Sequence, residues 1–368
     1  MRPITLSFAF FLVLVTTGLR GQDVHFTLHD YNPLWLNPAQ TGAFSGTVRV
    51  GGIYRGQWYT LDGFRTPSAY VDAPIIRGLR KQDWIGVGAN LINDRAGAGG
   101  DLPLVSNYFG FSAAYHLALD EDRRNVFTLG AQYGSTSISL DLENPNLVQQ
   151  LTIDQGLGGG GLGQGELQPD GQNQNGDGES YTDINAGVMF RSLLDEAKGN
   201  RLEVGLSMLH LNTPDRASLL RPNRDTTGIP DTSMVNTGDR EDERRRRATL
   251  HGHARLDLEL NEDWRFQPSV FLQHTAGVTS ASVQAWASRA LKPAVNLRLG
   301  LGYRTGDAAQ VLVGLDYEQL RAALSYDITL SDKRTVTNYQ GGFELSAAYL
   351  INIYKKPNVV PTMLCPKL

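Results

Sequence analysis

Few stretches of the chain carry residue types at spacings suited to chemistry. His251 and His253 stand two apart, with Asp257 and Glu259 four and six residues beyond His253. An i, i+2 His pair on a strand can ligate a transition metal. The same residues also fit a polar wall, and that reading is preferred. Gly158-Gly159-Gly160-Gly161 lacks the Gly-Lys-Ser/Thr ending of a phosphate-cradling loop. Asp170 to Glu179 (DGQNQNGDGE) has the composition of a calcium loop. Setting Gly176 at the obligatory glycine puts Gly171 where the first Asp is required. Glu241-Asp242-Glu243 running into Arg244 to Arg247 reads as a solvated loop end. No serine sits in a nucleophile elbow. The single Cys365 excludes an intrachain disulfide framework and a Cys-based zinc site. The residues therefore point to a protein that is not an enzyme, with no catalytic residues, metal or cofactor expected.

The elements that position these residues follow one pattern. In Val295 to Tyr303 the odd positions are apolar, and the even ones are Asn296, Arg298, Gly300 and Gly302. Leu320 to Leu330 alternates in the same way, with Arg321 and Asp327 on its polar face. Leu250 to Leu260 places His251, His253, Arg255, Asp257 and Glu259 on one side. Alternate side chains of a strand point to opposite faces, so each segment has one greasy and one polar side. Many run ~9–11 residues, the length that crosses a bilayer at a tilt.

Fourteen such segments are expected, near 47–58, 66–73, 84–93, 106–118, 126–138, 181–190, 201–210, 248–260, 264–274, 281–290, 294–304, 308–317, 320–330 and 342–353. The second is the weakest. The even number predicts an all-β fold: a closed antiparallel transmembrane barrel over 47–354, which leaves no strand edge in hydrocarbon. His253, Asp257, Arg298, Arg321 and Asp327 would face its lumen. A soluble sandwich or propeller is the alternative, but soluble strands average only ~5–6 residues.

Composition agrees. Of 368 residues 40 are Gly, 41% are hydrophobic and 20% are charged, with a formal charge of −4. That balance gives no reason to expect nucleic acid. Met1 to Gly21 has a basic start, an apolar run from Ile4 to Val15 and a small final residue, which predicts a signal peptide cut after Gly21. Its removal takes Lys plus Arg from 34 to 32 against 38 Asp plus Glu, a charge of −6.

Connection lengths supply a separate test. Turns such as Asp120 to Asn125, Ser192 to Asn200 and Pro74 to Asp83 would be periplasmic. The long connections 140–180 and 211–247 would both face outside. Both mature termini would then be periplasmic. Trp58, Tyr59, Trp84, Trp264, Tyr303, Tyr317 and Tyr354 are candidates for interfacial girdles. Asn32-Pro33 and Asn37-Pro38 are turn chemistry, which bars regular helix or strand pairing there. Trp35 and Leu36 between them need burial. The segment 22–46 either tucks into the barrel mouth or simply leads into the first strand. Residues 355–368 form a tail after the last strand, with Val359, Val360, Met363 and Leu364 costly to leave in water.

Several stretches carry a family resemblance. They are Tyr31-Asn32-Pro33-Leu34-Trp35-Leu36-Asn37-Pro38-Ala39-Gln40-Thr41-Gly42, Tyr54-Arg55-Gly56-Gln57-Trp58, Leu91-Ile92-Asn93-Asp94-Arg95, Asn338 to Ser346, and Pro361 with Cys365-Pro366-Lys367-Leu368. The chain resembles the PorP/SprF family of outer-membrane proteins, associated with type IX secretion and gliding in Bacteroidetes. Lys367 and Leu368 depart conservatively from the family's usual Cys-Pro-Arg-Phe ending. The insert 155–179 and the loop 214–247 fall outside the resemblance. The resemblance implies a barrel related in shape to fatty-acid-transporter barrels. It also implies as partners a secreted protein with a type-B C-terminal sorting domain or an adhesin, other type IX components, and outer-membrane lipid. Asn32, Pro33, Leu34, Trp35, Asn37, Pro38 and Ala39, with Pro361, Cys365 and Pro366 of the tail, are the candidate partner-binding or plug residues. A porin or hydrophobic-solute transporter is the alternative function.

Overall fold

The computed structural model describes residues 24–58, 63–78, 80, 82–97, 104–140, 179–214, 245–292, 294–332 and 334–353. Fourteen strands account for most of them. They are β1 (Val48–Gln57), β2 (Phe64–Arg77), β3 (Trp84–Ala96), β4 (Leu104–Ala118), β5 (Asn125–Leu140), β6 (Glu179–Asp195), β7 (Asn200–Leu209), β8 (Thr249–Glu259), β9 (Trp264–Thr275), β10 (Val278–Lys292), β11 (Val295–Arg304), β12 (Ala308–Tyr317), β13 (Leu320–Thr329) and β14 (Gln340–Ile351). Each pairs antiparallel with its sequence neighbours, and β14 closes on β1 from Val48↔Ile351 to Gln57↔Gly342. The closed barrel expected from alternation is thus present with the expected strand count. Closure gives every strand a neighbour on both sides, so no free sheet edge faces hydrocarbon.

The alternation has the sense a lipid-facing barrel requires. Val311, Val313, Leu315, Leu324 and Tyr326 are exposed on the outer wall, while Gln310, Ser325 and Asp327 are buried inside. The β2 strand, weakest by sequence, runs 14 residues. It tolerates Pro67 and Pro74 because the β2–β3 pairing is interrupted or shifts register beside them. The connection drawn from Pro74 to Asp83 is correspondingly shorter, since β2 continues to Arg77.

One end of the barrel holds the start of β1, the end of β14, and six connections of six residues or fewer. The other end holds the connections across 141–178 and 210–248. The tail 355–368, including Pro361, Cys365 and Pro366, lies outside the described residues, as do the signal segment, the Gly/Gln/Asn-rich insert, Tyr59 and Tyr354.

Trp84 corrects the girdle expectation. Its position in β3 has lumen parity, and its ring stacks on the buried His116 at 4.5 Å while Nε1 donates to Gly42 O. Trp264, Tyr303 and Tyr317 are exposed on the outer wall as expected.

Residues 24–42 run through the barrel interior. They form three short helical turns, His29–Tyr31, Pro33–Leu36 and Pro38–Gln40. Here too an expectation is corrected. Pro33 and Pro38 stand in the first turn, where the missing N–H is no loss and the fixed φ suits a helix start. Phe26, Leu28, Tyr31, Leu34, Trp35 and Leu36 are all buried against lumen side chains.

Candidate functional site

The interior is built from inward positions of all parts of the wall, converging on the segment 24–42. Near the end that carries the long connections, Glu344 on β14 accepts from Thr27 N and Leu28 N, both at 2.7 Å, and from Arg55 on β1. Asp327 on β13 accepts from Thr27 Oγ1 at 2.8 Å and Arg304 Nη2 at 2.6 Å, with Arg55 Nη2 at 3.3 Å. Gln284 on β10 donates to Thr27 O at 2.7 Å. Two guanidinium groups and two carboxylates therefore balance, all within 5% of full burial. Buried charges are tolerated when paired and hydrogen-bonded in this way.

The placement of Thr27 sets the depth at which the segment enters the lumen. Glu344, Asp327, Arg304 and Arg55 all sit in the half of their strands toward the long connections. Residues 24–28 therefore lie in that half of the lumen; the expected mature termini, at Gln22 and Leu368, lie outside the described residues. The chain then descends. Asp30 meets Arg255 at 3.2 Å, and Tyr31 Oη accepts from Arg298 at 3.0 Å while its ring lies under Arg321 at 4.8 Å. Burial would raise the Asp30 carboxyl, but the Arg255 guanidinium, helped by His29 and Arg321, holds it well below the usual carboxylate range.

Trp35 returns toward the long-connection end, edge-on to Tyr108 at 5.4 Å. Asn37 sits at mid-depth. Its Nδ2 donates to Val188 O at 3.0 Å and lies 3.2 Å from His253 Nε2. Thr41 and Gly42 finish near the short turns, where His116 Nε2 meets Thr41 O at 2.8 Å and Asp72 accepts from Gly42 N at 2.7 Å. Arg49 holds Asp72 from the other side at 2.8 Å.

Inward glycines let the segment come this close. A Cβ at Gly130 would lie 2.2 Å from Ala39 N, and one at Gly187 would lie 2.0 Å from Asn37 Oδ1. Gly86 is as tight against Thr41 O at 2.2 Å, and a Cβ at Gly205 would lie 2.2 Å from His253 Nε2 and 2.7 Å from Asn37 Nδ2. Real Cβ atoms do not approach so closely, so these positions need glycine for the segment to fit.

Each sequence-predicted residue in the described range is inside. Asn32 donates to Ser68 Oγ at 2.9 Å, and Leu34, Asn37 and Ala39 are wholly buried. Asp327, Arg298, Arg321 and His253 all touch the segment; Asp257 instead joins Arg255 and Gln267 on the wall. His251 meets Leu36 O at 3.2 Å. Among the described residues no three His, Cys, Asp or Glu side chains gather as a metal site. Sequence reasoning missed Arg55, Glu344, Arg304, Asp30 and Glu203, the last accepting from Gln40 Nε2 of the segment at 3.3 Å. A lone charge at lumen parity, as in Tyr54-Arg55-Gly56 and Phe343-Glu344-Leu345, was the available signal.

The family described as type IX secretion system membrane protein PorP/SprF matches residues 19–349. No curated protein matches the chain. Among solved structures, the CymD monoaromatic hydrocarbon channel is 12% identical, with TM-score 0.48, over 88% of this chain and 94% of its own. The P. putida toluene transporter TodX is 11% identical, with TM-score 0.48, over 87% and 93%. CdiB from Acinetobacter baumannii is 9% identical, with TM-score 0.44, over 82% and 59%.

Proposed function

This chain belongs to the PorP/SprF family of type IX secretion system membrane proteins, and from that premise we propose that it is a closed outer-membrane partner barrel. Residues 24–42 act as its resident plug. The barrel works as a docking platform for export or surface attachment of proteins with a type-B C-terminal sorting domain. One observation supports this most: the lumen is occupied along its depth by the chain's own segment, fixed by balanced buried charge and seated against glycines. An open porin would need that space for water.

In this reading residues 1–21 are a signal peptide and the short turns face the periplasm. The connections across 141–178 and 210–248 face outside and offer the surface for cargo. Protease added to intact cells then cuts in these long connections; cutting only after outer-membrane lysis would reverse the orientation. The tail 355–368 docks on another secretion component or covers the periplasmic mouth.

The partner is tested by affinity purification of the tagged full chain from its own outer membrane. Co-elution of a secreted protein with a type-B C-terminal domain, together with type IX components, is expected. Recovery of neither above the level of an unrelated tagged barrel would overturn the assignment.

A further inference from the structure

The outer wall is interrupted near the long-connection end of β2 and β3. Arg65↔Arg95 and Ser68↔Ile92 pair in one register, but Thr66 and Pro67 make no ladder pairs with Asp94 and Asn93 between them. Pro67 has no N–H to donate, so the seam parts there without a slip. A groove of about 510 Å³ opens at this seam. Pro67, Ala69, Leu91 and Phe109 give it apolar sides, and Asn93 and Asn107 form part of its polar rim. Leu91 is 53% exposed and Phe109 39% exposed, both facing lipid. Ile92 and Tyr108, buried on the lumen side, also line it. The volume falls in the range of small-ligand sites, ~300–1,000 Å³.

The rim is polar on a wall that is otherwise greasy. Asn93 Nδ2 donates to Asn107 Oδ1 at 2.6 Å, and Arg95 Nε donates to Asn93 Oδ1 at 3.2 Å. Two positions along the strands, ~7 Å from the groove lining, Arg65 and Arg95 stand directly opposite one another. Both are exposed on the outer face. Among the described residues no carboxylate pairs with either, and Arg95 meets only the neutral Asn93. Like charges directly across a ladder are destabilising unless an anion lies between them. Two guanidinium forks facing each other match the oxygens of a phosphate group.

We propose that this seam binds one anionic phospholipid-type molecule. Its phosphate bridges Arg65 and Arg95, its polar linker meets Asn93 and Asn107, and an acyl chain enters the groove over Leu91 and Phe109. Free phosphate would leave the apolar groove empty, and a zwitterionic lipid, with no net charge, would leave both positive charges of the Arg65–Arg95 pair unbalanced where an anionic phosphodiester leaves only one. The site lies in the leaflet at the long-connection end. Calling that the outer leaflet rests on the orientation proposed above, but the binding itself does not.

The test uses native mass spectrometry of the purified full chain in neutral detergent. It is titrated with phosphatidylglycerol and with phosphatidylcholine of the same acyl chains. One tightly retained phosphatidylglycerol is expected, with phosphatidylcholine retained more weakly. R65Q/R95Q weakens phosphatidylglycerol roughly tenfold to thirtyfold, given ~1 kcal/mol per basic side chain near a membrane. L91W, which fills the groove, weakens both lipids. Heat-modifiable gel migration confirms that each variant is a folded barrel. Should R65Q/R95Q fail to fold, the wild-type lipid preference and L91W still decide. Equal retention of the two lipids by the wild type, unchanged retention in the folded double variant or in L91W, or displacement by millimolar inorganic phosphate would each overturn the proposal.

Discussion

Glu344→Gln is the most informative single perturbation of the plugged lumen. The carboxylate is fully buried and holds three donors at once: Thr27 N, Leu28 N and the Arg55 guanidinium. A glutamine fits the same space but keeps only one acceptor oxygen. Its NH₂ must face a donor, and Arg55 loses half of its counter-charge while Asp327 remains shared with Arg304. Removing one partner of a buried ion pair costs about 3–5 kcal/mol. The wall ladder does not depend on Glu344's side chain, so the loss falls on the seating of residues 24–28. The released fraction should rise by roughly two to four orders of magnitude. Chymotrypsin reads this directly, because Phe26, Tyr31 and Trp35 are cleavage sites that are buried in the wild type. In detergent, E344Q should be cut within 24–42 under conditions that leave the wild-type segment whole. R55Q/E344Q removes both charges and should recover most of the protection. Identical cleavage of wild type and E344Q would refute the reasoning that this cluster anchors the segment.

Three further outcomes follow from the same geometry. Gly130→Ala places a methyl 2.2 Å from Ala39 N and should cost about 1–3 kcal/mol in urea unfolding of the reconstituted barrel, while Gly252→Ala, whose nearest neighbour is 3.5 Å away, should be near neutral. Leu299→Arg puts a charge on the lipid face in the middle of β11 and should cost about 2–4 kcal/mol if it lies at the bilayer midplane; tolerance equal to that of Leu299→Val would contradict a membrane-spanning wall. Asp30 is held below its usual range by Arg255, despite burial, so its contribution is present above the unfolded value of ~3.9 and is lost only as pH falls through the lower folded value. The stability difference between wild type and Asp30→Asn should therefore be flat from neutral pH down to about pH 4 and shrink below it; a difference that vanishes already near pH 6 would refute the pairing with Arg255.

The wall was legible because alternation is a local signal. Val295 to Tyr303 and Leu320 to Leu330 state their two faces within ten residues, and the closed barrel follows from repeating that statement. Strand ends were less legible: β6 continues to Asp195 through residues that read as a turn, since paired backbone extends beyond the apolar stretch. Pro67 and Pro74 hid β2, because their cost is absorbed by gaps in one ladder only. The occupant of the lumen was least legible. Residues 24–42 have no period, and their partners lie far off in sequence; Thr27 and Glu344 are 317 apart. The need to bury Trp35 and Leu36 was visible, but neither the depth of insertion nor the choice of Glu344, Arg304 and Arg55 as anchors could be read locally. Trp84 shows the same limit: its position at a strand end suggested an interface, whereas parity turned it onto His116.

Ion conductance of the purified barrel, starting at Gln22 and inserted in a planar lipid bilayer, tests the closed-platform function most directly. A lumen occupied by residues 24–42 predicts no sustained conductance above the bare bilayer, and stepwise channels once those residues are deleted. Sustained wild-type channels of porin size would contradict a plugged barrel and return the protein to the class of open transporters.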